Sequence, residues 1–149
     1  MRLLLQRVAR AAVDVEGQRI AAIGPGLLVF VGVGHGDDLG VAEALARRTT
    51  ELRIFADEGG RTNRSIVEVG GAALVVSQFT LQADTSRGRR PGFTRAAPAA
   101  LADELYRAFA VALRANGVAD VQTGRFGAEM AVELVNDGPF TIWLDSAAP

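Results

Sequence analysis

Two short polar segments of this chain combine residue types that could do ester chemistry. They are Ser77-Gln78-Phe79-Thr80-Leu81 and Asn136-Asp137-Gly138-Pro139-Phe140-Thr141. The first closes an apolar run, Ala73 to Val76, and α/β folds place ligands at the ends of their strands. Ser77 and Thr80 offer hydroxyls, Gln78 offers an amide, and a turning backbone offers N–H groups of the kind that build oxyanion holes. Alone, the segment is also what a plain strand end entering a turn looks like. The second segment concentrates turn chemistry between two apolar stretches and by itself reads as a hairpin turn. Its Gly-Pro pair leaves two carbonyls with no bulky neighbour, able to accept from an amino group, and an X-Pro bond is free to be cis.

A third segment, Thr85 to Arg95, sets Arg87, Arg89, Arg90, Arg95 and Phe93 in a glycine- and proline-containing loop. Arginine forks suit phosphate oxygens and an aromatic ring can stack on a base. The alternative is a solvated surface loop. The clustering of cations in a chain of net charge −1 favours a nucleic-acid contact through Arg87, Arg89 and Arg90. His35, the single histidine, invites a triad with Ser77 and Asp37 or Asp38. No G-x-S-x-G elbow accompanies it, so an exposed histidine in a glycine-rich loop is the better reading. Gly32-Val33-Gly34-His35-Gly36 lacks the G-x-G-x-x-G spacing of a dinucleotide loop.

The missing residue types narrow the chemistry further. All 16 basic residues are arginine and there is no cysteine. That removes a Schiff-base or P-loop lysine and a cysteine/histidine zinc site within one chain. No metal and no cofactor is expected. Hydrolysis would have to use hydroxyls, carboxylates, backbone groups, water or the substrate itself. The lack of cysteine fits a reducing cytoplasm. The opening Met-Arg-Leu-Leu-Leu-Gln-Arg is too short in its apolar part for a signal peptide, and no apolar run is long enough to span a membrane.

The elements that must position these residues follow from periodicity. Residues 2–8, 11–15 and 18–23 read as strands, and the apolar run 27–31 as a strand buried on both faces. The spacing predicts a helix over 39–55, opened by an N-cap signal at Asp37-Asp38, with Val41, Leu45, Leu52 and Phe55 on one side. A loop over 57–64 and a strand over 72–79 follow. A second helix starts near Pro98, carries Leu101, Leu105, Phe109 and Leu113, and ends at Asn116-Gly117. Strands are expected at 119–123, 129–135 and 140–144. The 149 residues make one α/β domain, two helices packed on β-sheet, with a second sheet layer built from the early strands and no linker or repeat.

The pair of motifs, SQFTL and N-x-G-P-x-T about 55 residues later, resembles the signature of the D-aminoacyl-tRNA deacylases. Residues 7–33, 52–66, 89–97 and 123–141 are similar to that family in order, so the resemblance covers nearly the whole chain. The departures are small: Phe140 fills the variable place of the second motif, and Gly92 stands where serine is commoner. The resemblance implies an α/β/β layered homodimer with active sites at the subunit interface. Ser77, Gln78, Phe79 and Thr80 would line one wall. Gly138 and Pro139 would form a Gly-cis-Pro element inserted from the other subunit, with carbonyls holding the substrate's α-amino group. Arg7, Phe126 and Met130 would line or support the pocket. The implied substrate is the 3′ end of a tRNA carrying a D-amino acid or glycine.

Overall fold

The structure, a computed structural model, describes residues 1–148. Its first strand, β1 (Arg2–Val15), is continuous where the sequence reads two. It changes partner along its length. Arg2 to Val8 pair with β3 (Gly26–Gly32), and Ala11 to Val15 pair with β2 (Gln18–Ile23), both antiparallel. β3 then runs parallel to β6 (Ala72–Ser77), and β6 parallel to β7 (Val121–Thr123). The last strand, β8 (Ala131–Asp145), lies antiparallel along the other edge of β1. Because one strand serves two partners in succession, the sheet folds over on itself.

The fold-over gives two cores. One lies between the sheet and the helices α1 (Leu39–Glu51) and α2 (Ala99–Ala115), and holds Leu27, Val29, Val31, Leu105, Phe109 and Leu113. The other lies within the folded sheet, among Val8, Val13, Leu28, Leu74 and Val76. β3 contributes alternate residues to both, as a strand buried on two faces must. The α/β architecture with a second sheet layer is therefore observed.

Several boundaries differ from those expected. α1 stops at Glu51, not 55. Its last turn carries two β-branched threonines whose hydroxyls bond back to the carbonyls of Leu45 and Arg47, both at 2.8 Å, which weakens the helix ladder there. Phe55 belongs instead to β4 (Phe55–Ala56), paired with β5 (Thr62–Arg64) inside the segment read as a loop. The strand read over 72–79 ends at Ser77, and Phe79–Gln82 form a 3₁₀ turn. The strands read over 129–135 and 140–144 are one strand, β8, so Asn136 to Thr141 is not a hairpin turn. The N-cap before α1 is Asp38, whose carboxylate accepts from Val41 N at 2.9 Å. No helix among the described residues is long and apolar enough to cross a membrane.

Candidate active site

The 3₁₀ turn matters because it ends β6 abruptly. Gln78 N donates to Val31 O at 2.8 Å, which closes the sheet pairing, and the turn then uses the N–H groups of Leu81 and Ala83. The N–H groups of Phe79 and Thr80, first in the turn, take no acceptor among the described residues. The start of a helical turn always leaves such donors over. Here they stand beside a cavity of about 550 Å³ lined by Val31, Val76, Ser77, Gln78, Phe79 and Met130, among others.

Small residues leave the room. Gly32 allows the turn to lie directly on β3: a Cβ there would be 2.9 Å from Gln78 O and 2.7 Å from Leu81 Cβ. Ala96 and Ala97 form another wall, strapped to the end of β3 by Ala97 N donating to Val33 O at 3.0 Å. Ala99 and Ala102 of α2 add to it. On the far side the segment after β7 brings Phe126 and Met130 inward, and Gly124 makes space for the Met130 sulfur, which would lie 2.7 Å from a Cβ at that position. Tyr106, buried in α2, donates its hydroxyl to Val75 O at 3.0 Å and Gly124 O at 3.4 Å. It thereby ties the strand leading into Ser77 to the segment leading into Phe126. Burial pushes its hydroxyl pKa up, so it stays neutral and donating.

Five predicted residues thus line one cavity: Ser77, Gln78, Phe79, Phe126 and Met130. Thr80 is exposed at its rim and its hydroxyl accepts from the Gln78 amide. Gly138, Pro139 and Arg7 are not part of the lining. They form a separate feature on the β1–β8 pair. Gln6 pairs with Thr141 and Val8 with Asn136, so Arg7 alone is opposed by 137–140, which bulge out of the strand. The Gly138–Pro139 peptide within the bulge is cis. Asn136 donates to Arg7 O at 2.9 Å and to Phe140 O at 3.2 Å, closing the base of the bulge. Arg7 holds its body: Nε donates to Asp137 O at 3.0 Å and pairs with Asp137 Oδ2 at 3.0 Å, while the guanidinium lies 4.2 Å over the Phe140 ring.

His35 does not join Ser77. Its Nε2 is 3.0 Å from Thr94 O, and Asp37 is engaged by Gly34 N at 2.6 Å and by the amino terminus. Arg87, Arg89 and Arg90 stand exposed on a loop closed by Asp84 and Gly92, which exchange both backbone hydrogen bonds at 2.7 and 2.9 Å. Sequence reading misses the lining alanines and, outside the lining, Gly32 and Gly124, which make space for the turn and for Met130; none has a functional group to signal its role.

Comparison with known proteins identifies the fold's family. A family model described as D-Tyr-tRNA(Tyr) deacylase matches residues 4–145. The chain belongs to the D-Tyr-tRNA(Tyr) deacylase family. Membership brings its class, a hydrolase acting on aminoacyl-tRNA. The D-aminoacyl-tRNA deacylase of Thermomicrobium roseum is 60% identical over 147 residues, 99% of this chain and 95% of that one. That of Dinoroseobacter shibae is 61% identical over 145 residues, 97% and 99%. Among solved structures, the "c-Myc DNA Unwinding Element Binding Protein" superposes with a TM-score of 0.92 at 39% identity, covering 97% of this chain and 98% of that one. A structure described as "a probable eukaryotic D-amino acid tRNA deacylase" shares the fold, with a TM-score of 0.83 at 17% identity over 96% and 97% of the two chains.

Proposed function

We propose that this deacylase hydrolyses the ester between a D-amino acid, or glycine mischarged on tRNA-Ala, and the terminal ribose of tRNA, and spares L-aminoacyl esters. The observation that carries the reading is the pair of unengaged N–H groups at Phe79 and Thr80 beside the cavity. Backbone donors of this kind can stabilise a tetrahedral oxyanion, and one such donor is worth about 2.7–4 kcal/mol in other hydrolases. An aminoacyl ester is already activated, so a positioned water and an oxyanion hole are sufficient. Thr80 is a poor nucleophile here: its hydroxyl accepts from Gln78, and no basic side chain among the described residues hydrogen-bonds it to activate it. The 2′-hydroxyl beside the ester supplies the remaining acid–base help.

Chirality in this reading comes from the bulge on β8. That strand is a sheet edge paired only with β1, with Val135 and Trp143 half exposed along it, which suits a homodimer. Gly138 and Pro139 of a second copy enter the cavity mouth, and their carbonyls hold the α-amino group. Arg7 fixes the bulge that carries them. With amino group and ester both held, a D side chain points outward, while an L side chain meets the Gly-Pro backbone. Selectivity by steric rejection leaves glycine, which has no side chain, as a substrate. Arg87, Arg89 and Arg90 contact the tRNA backbone, and the protein works in the cytoplasm.

Incubation with D-Tyr-tRNA, L-Tyr-tRNA and glycyl-tRNA tests this. The D and glycyl esters are lost and the L ester persists; survival of D-Tyr-tRNA for as long as in buffer refutes the reading. A nucleic-acid-binding module without turnover is the second reading. It is favoured by the 39% identity to a protein named for binding a DNA element, and it predicts that same survival. Charge reversal at Arg89 and Arg90 weakens tRNA binding in either case. It also flattens the dependence of log K on log salt by about 0.7 per lost single-strand phosphate contact; unchanged affinity at low salt returns the loop to plain surface.

A further inference from the structure

Phe79 and Phe93 come from different segments, the 3₁₀ turn and the arginine loop's exit, yet their rings meet edge to face with centroids 5.0 Å apart at 68°. Neither is spent in a core: Phe79 is 55% exposed and Phe93 38%. Phe79 also lines the cavity, so the pair begins where the cavity opens. The loop preceding Phe93 is preorganised. Besides the two backbone bonds between Asp84 and Gly92, the Asp84 carboxylate accepts from Ser86 N at 2.9 Å and pairs with Arg95 at 3.5 Å. Arg87, Arg89 and Arg90 make no ion pair among the described residues.

We propose that the Phe79–Phe93 pair is a stacking platform for an unpaired base next to the aminoacylated terminal nucleotide, with Arg87, Arg89 and Arg90 on the phosphates that precede it. The inference rests on the cavity being the seat of the ester. Ring surface that stays wet gains little from folding and gains much when a base covers it. Every base has a π-face, so such a platform accepts any sequence, whereas a base inside a duplex already has both faces stacked. Three free cations match phosphates and leave no acidic partner to compete. A chain of net charge −1 holds nucleic acid by this one local site, and the site therefore selects a single-stranded 3′ end over a helix.

The test uses uncharged RNA, so it stands apart from turnover. A single-stranded oligomer of about eight nucleotides carries 2-aminopurine at the penultimate position, and binding is followed by anisotropy and by quenching of that base. Wild-type protein binds the strand and quenches it. Phe93→Ala weakens binding by about 5- to 150-fold, the range for loss of one base–aromatic stack, and abolishes quenching. Phe93→Trp, which keeps a stacking face, retains both, and annealing the RNA into a blunt duplex weakens wild-type binding. Unchanged affinity and quenching in Phe93→Ala, or duplex binding as tight as single-strand binding, overturns the platform. Loss of the ester from D-Tyr-tRNA decides the hydrolase reading separately.

Discussion

Gly32 has the oxygen of Gln78 and the side chain of Leu81 directly above it, so its missing Cβ is what lets the 3₁₀ turn settle on β3. A backbone oxygen cannot swing aside as the tip of a long side chain can. Gly32→Ala therefore displaces the turn and with it the N–H groups of Phe79 and Thr80. We expect kcat on D-aminoacyl-tRNA to fall on the order of 10²-fold, the cost of misplacing a reacting group by about 1 Å, with a much smaller drop in thermal stability. Steady-state kinetics on the purified variant decide it, and an unchanged kcat would uncouple the turn from catalysis. At this scale the sequence was legible where chemistry was conspicuous. Ser77, Gln78 and Phe79 announce themselves by ending an apolar run. Phe126 and Met130 were reached only through family resemblance, and Gly32, Gly124, Ala96 and Ala97 could not be reached, because a residue that acts by being small has no functional group to notice.

Tyr106 links elements. Its hydroxyl spans Val75 O, next to the mouth of β6, and Gly124 O, at the exit of β7. Val75 O also accepts from Gly124 N at 2.9 Å, so removing the hydroxyl leaves that carbonyl satisfied, and Gly124 O, only partly buried, loses no more than a long 3.4 Å contact. Tyr106→Phe accordingly costs about 0.5–1.5 kcal/mol, the net worth of a hydrogen bond and not the larger penalty for an orphaned group. Denaturant unfolding measures it; a loss well beyond that range would mean that the two cavity walls separate. Helix α2 was legible almost to the residue, because Leu105, Phe109 and Leu113 repeat on one face and Pro98 opens it. β8 was not. Asn-Asp-Gly-Pro is good turn chemistry, but the same residues also serve a bulge, and only the partner strand reveals that the chain continues in its original direction.

For the whole molecule, charge sets the response to acid. Hydrogen bonds hold several carboxyls below their ordinary pKa: Asp14 through the Arg19 side chain, Asp57 through the N–H of Arg61, Glu68 through the N–H of Ser65, and Asp84 through Ser86. Each folded value lies below the unfolded one. Each group therefore contributes stability above the ordinary carboxylate range of about 3.9–4.3 and loses it as the pH falls through the folded value. The melting temperature should be nearly flat from about pH 8 down to 5 and decline below about 4. A calorimetric midpoint unchanged down to about pH 3 would show that these bonds persist in the unfolded chain. Burial of Tyr106 acts at the other end, where stability is lost as the pH rises past the usual tyrosine value. The layered architecture was legible at this scale from the order of strands and helices. The fold-over was not, because it depends on β1 exchanging one neighbour for another, and a strand's own residues do not state which edge it gives to whom.

The wall formed by Ala96, Ala97, Ala99 and Ala102 has a use beyond making space. Its side chains are single methyl groups, and no hydrogen bond depends on them. Ala96 and Ala99, which lie outside the packed core, can be enlarged in steps, to Val and then to Leu, while the polar turn opposite is left as it is. The wall is thus a sizing gauge for protein engineering. Stepping it inward narrows the chamber for bulky occupants before small ones, so the range of groups admitted becomes adjustable separately from the machinery that acts on them.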